Sequence, residues 1–270
     1  MIYLICSIAL LSATWFLRRA FLLSRFRRDV RLLFSQPQKV EHARFSYEQL
    51  QGLPAPVERY FKYVLQEGQT CTLSVRLKHT GHFKMKPDGS WIKIKGEEYF
   101  STCHPGFVWK GVTRMFTAID RYINGKGRLS VFVLSLFRVV NARGLKYDQG
   151  ELLRWLAEGV WFPCSLLPGR YVQWIALDDK NAKLVFTYAG LSLSYIVRFN
   201  DAGEIAEMET QRYYNGNHLE TWLAKMKDYK EFNGIKLPTD MEATWKLKER
   251  DYSYAHFKLG AIEFNVNRHF

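Results

Sequence analysis

The chain has 270 residues, 16% of them aromatic, and a formal charge of +13. That length supports one sizeable core, burying roughly 70% of the unfolded surface. Residues 1–40 hold seven Lys and Arg against one Asp, or +6 of the +13; with no zinc finger, RNP motif or groove-reading basic helix elsewhere, this excludes a nucleic-acid partner and indicates a membrane surface.

Residues 1–17 contain no charged side chain. They are predicted to form a transmembrane helix, at the short end of the roughly 17–25 residues that cross a bilayer. Arg18 and Arg19 follow and can snorkel. No basic segment precedes the run and no small-residue cleavage site follows it, so an uncleaved anchor is expected over a signal peptide. Leu22, Phe26, Val30 and Leu33 then recur at helical spacing, with Arg25, Arg27, Arg28 and Arg31 between them. That pattern predicts a basic amphipathic helix lying on anionic lipid headgroups. Because the arginines follow the span, the positive-inside rule places the N-terminus of a single-pass protein outside and its body in the cytoplasm. Cys6 lies in the apolar segment. Cys71, Cys103 and Cys164 are an odd set with no close pair, so no disulfide is expected, in keeping with a reducing compartment.

Three regions are expected: the anchor and basic helix at 1–34, a linker and short docking helix at 35–69, and a β-rich domain at 70–270. In the second, Pro54 and Pro56 open a helix whose apolar face is Val57, Tyr60, Phe61, Val64 and Leu65, and Gly68 closes it. From Cys71 the period becomes two. Leu73, Val75 and Leu77 alternate with Ser74, Arg76 and Lys78, and Gly81 is read as a bulge. Further strands are predicted at WIKIKGEEYF and PGFVWKGV, and at IDRYI and GRLSVFVLSLF around an Asn124-Gly125 hairpin turn.

Tyr147 to Gly169 is the exception. Asp148 is read as its N-cap, with Glu151 completing a capping box. Leu152, Leu153, Trp155, Leu156 and Val160 form one face, Glu151, Arg154 and Glu158 a separate stripe, and Gly159 and Pro163 end the helix. A carboxylate such as Glu158 near a helix C-terminus costs about 0.3–1 kcal/mol. A solvated pair with Arg154 is the commoner way to offset this; a buried cation or ligand facing Glu158 is the other. Seven more strand segments follow, separated by short turns that include Asn215-Gly216 and Asn233-Gly234. The fold class is therefore mainly β (α+β): a curved antiparallel sheet or half-barrel with one central helix, plus the N-terminal transmembrane helix.

His79 and His82 fall on opposite faces of a strand, and Cys103-His104 has no matching pair, so neither a metal nor a cofactor is expected. Cys164-Ser165 lacks a nucleophile elbow. A two-residue turn at Asn124-Gly125 pairs Asp120 with Leu129 and Tyr122 with Gly127, and a four-residue turn pairs Asp120 with Val131 and Tyr122 with Leu129; either way a carboxylate shares a face with Tyr122, Leu129, Val131 and Val133. It needs a cation, and Arg121, Arg154 and Arg212 are available. The candidate ligand site is a polar cluster of Asp120, Arg154 and Glu158, with Glu151, at the rim of an apolar groove lined by Trp109, Tyr122 and Trp161. The leading functional reading is binding of a lipid, lipidated peptide or other apolar ligand in the concave sheet face. The others are a hydrolase-type enzyme using Asp120 with Glu151 or Glu158, and a scaffold for another membrane protein.

The phrases LPAPVERYFKYVL, GSWIKIKGEEYFSTCHPGFVWKG, IDRYINGKGR, GELLRWLAEGVWFPCSLLP and GIKLPTDMEATW, in that order, resemble a bacterial, often membrane-tethered family of unknown function. The resemblance covers roughly residues 53 to 266. It implies no established activity, and it carries Thr-Ala where this chain has Cys164-Ser165. The order of strands around a helix is also similar to the half-barrel of lipoprotein carriers, which implies an apolar concave face that shields lipid.

Overall fold

The computed structural model describes residues 2–35 and 44–270. The first 33 of these form one helix, α1 (Ile2–Phe34). A second helix, α2 (Ala55–Val64), starts at Pro54 and Pro56 and buries Val57, Tyr60, Phe61 and Val64, as its spacing predicts. Most of the expected linker, residues 36–43, lies outside the described residues.

The rest is one antiparallel sheet interrupted by one helix. Its first half comprises β1 (Ser74–Phe83), β2 (Ile92–Ser101), β3 (Gly106–Val112), β4 (Phe116–Ile123), β5 (Lys126–Val133) and β6 (Phe137–Arg143). Then comes α3 (Leu145–Glu158). The second half comprises β7 (Val172–Ala176), β8 (Asn181–Tyr188), β9 (Leu191–Phe199), β10 (Ile205–Tyr214), β11 (His218–Phe232), β12 (Ile235–Lys246) and β13 (Asp251–Phe264). Every strand pairs with its sequence neighbours except at the centre, where β1 pairs with β13, so that β6 and β7 are the two edges. The helix α3 joins those edges across the concave face, against β3 to β6 on one wing and β9 and β10 on the other.

The Asn124-Gly125 turn is a two-residue hairpin, both residues at positive φ, and it sets Asp120 opposite Leu129 and Tyr122 opposite Gly127. The predicted strand through Leu136 divides in two. Leu134 and Ser135 take φ of 51° and 59°, turn the chain and start β6. The register shift in β1 falls between Lys78 and His79 rather than at Gly81. Gly81 instead permits close approach: a Cβ there would lie 2.0 Å from the His256 carbonyl oxygen.

Two apolar layers flank the sheet. On the concave side, Leu152, Leu153, Trp155, Leu156 and Val160 of the α3 segment join α2 and the sheet interior. On the convex side, Leu22, Phe26, Val30 and Leu33 of α1 pack on Tyr99, Val108, Ile119 and Ile123, and Arg121 binds Asp29 at 2.8 Å. This corrects the expectation that the Leu22–Leu33 face rests on lipid headgroups. An amphipathic stripe specifies an apolar neighbour, and here that neighbour is the sheet.

Among the described residues no helix is long and apolar enough to cross a membrane. Met1 and the side chains of Ile2, Leu4, Ile5, Ile8 and Leu11, all within the expected span, lie outside the described residues. The cysteine expectation is also corrected. Cys71 and Cys164, 93 positions apart, form a disulfide with Cα atoms 5.7 Å apart, tying the approach to β1 to the short 3-10 turn after α3.

Candidate functional site

The site is a row of side chains across the concave face with a helix laid over it. Strand register makes Glu98 on β2, Trp109 on β3 and Asp120 on β4 direct neighbours. Residues so paired point to the same face, so two carboxylates flank an indole. Above them runs the Glu151, Arg154, Glu158 stripe of α3, with Glu151 buried and the side chains of Arg154 and Glu158 only 14% and 12% exposed. Helix and sheet approach closely because Gly127 lies beneath: a Cβ there would be 2.5 Å from the Tyr147 carbonyl oxygen. The helix begins at Leu145, with Gly144 as its N-cap. Asp148 is therefore not the cap. It turns to the hairpin and accepts from the Gly127 amide at 2.7 Å and from Lys126 Nζ at 3.1 Å.

Arg154 is the centre. Its Nη2 donates to Glu98 at 2.6 Å, its Nη1 to Asp120 at 3.0 Å and its Nε to Glu158 at 2.9 Å. The guanidinium sits 4.8 Å from the Phe107 ring centroid and 5.0 Å from that of Trp109. Trp109 Nε1 in turn donates to His79 Nε2 at 2.8 Å, and the His79 ring stacks on Phe257 at 4.3 Å. The imidazole lies flat over Gly96, where a Cβ would approach it to 2.0 Å. Burial, and then the charge of Arg154, push the His79 pKa down to about 3, so the ring is neutral and free to accept from Trp109.

The cluster holds four carboxyl groups, Glu98, Asp120, Glu151 and Glu158, and two guanidinium groups, Arg154 and Arg212. Glu98, Asp120 and Glu151 are only 1%, 8% and 3% exposed. Burial opposes the charge on Arg154, but Glu158, Glu98 and Asp120 more than offset it and hold the arginine protonated. Arg212 lies over the Trp222 ring and against α3 at Gly150, and it is likewise held cationic. Full ionisation would leave two uncompensated negative charges in a site with little water. Burial raises Glu98 and Glu151 well above the usual carboxylate range, Glu151 further through the neighbouring charge of Asp120. Glu158 is raised by burial too, although Arg154 opposes the shift. Two protons on these acids bring the site to neutrality, the arrangement expected when like carboxyls share a dry cavity.

Of the candidate residues, Trp109, Asp120, Glu151, Arg154 and Glu158 come together. Tyr122, two residues along β4, stands beside them, and among the described residues its buried hydroxyl has no hydrogen-bond partner. Trp161 does not join. It bonds the Pro238 carbonyl at 3.0 Å and fixes the end of the α3 segment to β12. Trp109, Tyr122 and Trp161 are all core residues, so the cluster lies beneath the helix and not at the rim of a groove they line. Sequence reasoning missed Glu98, named Arg212 only as one of three cations available to Asp120, and weighed His79 only as a metal ligand. A signal for the inward face existed for two of them: Glu98 alternates in phase with Ile94 and Phe100, and Arg212 with Met208 and Tyr214.

An aromatic row that was not foreseen runs along one end of the concave face, from Tyr214 to Trp245 (5.1 Å), Tyr254 (6.3 Å), Phe83 (5.9 Å) and Phe116 (6.4 Å). Trp245 is buried and the other four are half-buried. Arg212 also lies 5.9 Å from the Trp245 ring, so one cation reaches from this shelf to α3, the helix that covers the acid cluster.

A family described as "Family of unknown function (DUF6544)" matches residues 43–257. The chain belongs to it. No curated protein matches this DUF6544 protein. Among solved structures it is similar to a LolA superfamily protein from Nitrosomonas europaea, with a TM-score of 0.44 and 11% identity over 80% of this chain and 95% of that one. A second is a putative outer membrane lipoprotein-sorting protein domain from Vibrio parahaemolyticus, with a TM-score of 0.42 and 9% identity over 82% and 92%.

Proposed function

We propose that this protein is a membrane-tethered binding module that holds an apolar ligand, an acyl chain or a molecule bearing one, along the aromatic shelf. The observation that carries this reading is the shelf itself. Five rings in sequence-distant strands form one continuous row, four of them half-buried around a buried Trp245, and rings left half-buried at the mouth of a concave sheet are the usual lining of an apolar ligand site. The uncharged first half of α1 serves as the tether. The acid cluster serves in this reading as the fastening of α3, since its acids are engaged by Arg154 beneath that helix. It sits one residue, Arg212, away from the shelf, so occupancy of the shelf and seating of α3 are linked.

The test is native mass spectrometry of the full chain, released from detergent after incubation with oleate. One retained oleate per chain is expected, and Phe83→Ser combined with Tyr254→Ser should lose it while keeping the wild-type far-ultraviolet circular dichroism at the binding temperature. Absence of an oleate adduct, or an adduct undiminished in the variant, would refute the reading.

A further inference from the structure

One end of the first sheet half carries apolar side chains in water-facing positions. The turns joining β1 to β2, β3 to β4 and β5 to β6 all lie at this end, because an antiparallel meander returns every second turn to the same side. Met115 in the second turn is 60% exposed, and Leu134 and Phe137 at the third are 55% and 67% exposed. Single exposed apolar residues are ordinary, but a group at adjacent hairpin tips marks an interaction surface.

The β5–β6 turn is also unusual in its chemistry. Asn124-Gly125, Asn215-Gly216 and Asn233-Gly234 turn with residues that tolerate positive φ, whereas this one places Leu134 and Ser135 there. A leucine is costly in that conformation and gains nothing from water at an exposed tip. A strained, exposed, apolar tip is explained by a partner that takes up the leucine.

The position of α1 identifies that partner. Trp15 Nε1 donates to the Leu134 carbonyl oxygen at 3.1 Å, which fixes the tip beside the helix. Trp15 lies three residues to the apolar side of Arg18, or about 4.5 Å further along the helix axis. The tip thus reaches past the arginine collar, to the level of the uncharged stretch. Exposed Arg114 and Arg138 adjoin Met115 and Phe137 in sequence, and exposed Arg18 and Arg19 follow Trp15 on the helix beside the Leu134 tip, with Arg19 5.1 Å from the Trp15 ring. Apolar residues accompanied by arginines match an anionic bilayer surface, with side chains among the acyl chains and guanidiniums at the phosphates.

We infer that the β3–β4 and β5–β6 hairpin tips insert into the same bilayer that receives α1, docking the mouth of the half-barrel on the membrane. This rests on the reading of α1 as the tether. Phe116 begins the aromatic shelf and follows Met115 directly, so a docked tip puts the shelf at the lipid surface. An acyl chain could then move between bilayer and shelf without crossing water.

The experiment uses the full chain in vesicles of phosphatidylcholine and phosphatidylglycerol at three to one. A photoreactive benzoyl-phenylalanine replaces Met115, Phe137 or, as a control, the exposed Leu145 at the far end of β6. Flotation with the vesicles is scored first, and lipid adducts are then read by mass spectrometry. Flotation with lipid adducts at 115 and 137 and none at 145 is the expected result. Flotation without adducts at the tips overturns the docking while leaving the tether intact, and failure to float overturns both. Equal adducts at all three positions, or a cross-linked dimer in place of a lipid adduct, also overturn it.

Discussion

Replacing Arg154 by alanine removes three charge-assisted hydrogen bonds and the cation resting on Phe107 and Trp109. It strands Glu98, Asp120 and Glu158 beneath a helix. Removing one partner from a buried ion pair costs about 3–5 kcal/mol, whereas an exposed pair is worth under about 1 kcal/mol. At roughly 2–4 °C per kcal/mol for a domain of this size, the melting temperature should fall by roughly 6–20 °C at neutral pH. The assay is a double-mutant cycle of Arg154→Ala and Asp120→Asn by thermal melts of the full chain. Residues within one network couple by about 0.5–3 kcal/mol, so the double variant should lose clearly less than the sum of the single losses. Acidification should also narrow the deficit, because a protonated carboxyl does not need the arginine's charge. Additive losses below about 1 kcal/mol would show that the three acids form an ordinary solvated stripe and refute the reasoning.

The pH dependence of the wild type follows from the same cluster. Glu98 and Glu151 are raised in the folded state, so folded protein binds more protons than unfolded protein above the unfolded value of about 4.3. Their contribution is complete below that value and is lost as pH rises through the folded values; melts between pH 5 and pH 8 should therefore show greatest stability toward the acid side, and a steady rise to pH 8 would count against two held protons. The Cys71–Cys164 bridge closes a long loop, and Cys71→Ser with Cys164→Ser should cost about 2–4 kcal/mol, read as a lower denaturant midpoint that equals that of the reduced wild type. Such bridges form in oxidising compartments, while the arginines after residue 17 point to a cytoplasmic body, so the two signals name opposite sides of the membrane. A C-terminal alkaline phosphatase fusion decides between them: we expect activity, which agrees with the bridge, and an inactive fusion would support the arginine rule.

Some of the site was readable in the chain because local chemistry fixed it. Asn124-Gly125 admits a two-residue turn, that turn sets the register, and the register places Asp120 on the apolar face. Helical spacing likewise put Glu151, Arg154 and Glu158 on one stripe. Depth was not readable. The stripe looks solvated until the sheet is known to meet α3 on both wings, which depends on β1 pairing with β13 nearly 200 residues away. The Cys71–Cys164 bridge was hidden for the same reason, as its partners approach only after the sheet closes on α3. The β6 strand was missed because Leu134 and Ser135 carry no turn signature. The α1 stripe was readable as apolar, but periodicity names no neighbour, and a sheet and a lipid layer demand the same face.

The seam between β1 and β13 bears on how the chain is made. Each half of the sheet is a local meander whose strands pair with the segment just synthesised. The pairing that unites them waits for Asp251–Phe264, which is made after all the other strands of this sheet. Until then β1 is an unpaired edge, with Val75 and Leu77 on its inward face and no ladder on one side. Ordering so distant a pair is slow compared with hairpin formation, and open edges of this kind invite pairing with other chains. Shortening the chain to end at Arg250 would therefore do more than remove one strand. It would leave two half-sheets with no ladder between them, held through α3, α2 and the Cys71–Cys164 bridge, and the product should be found in aggregates or bound to chaperones.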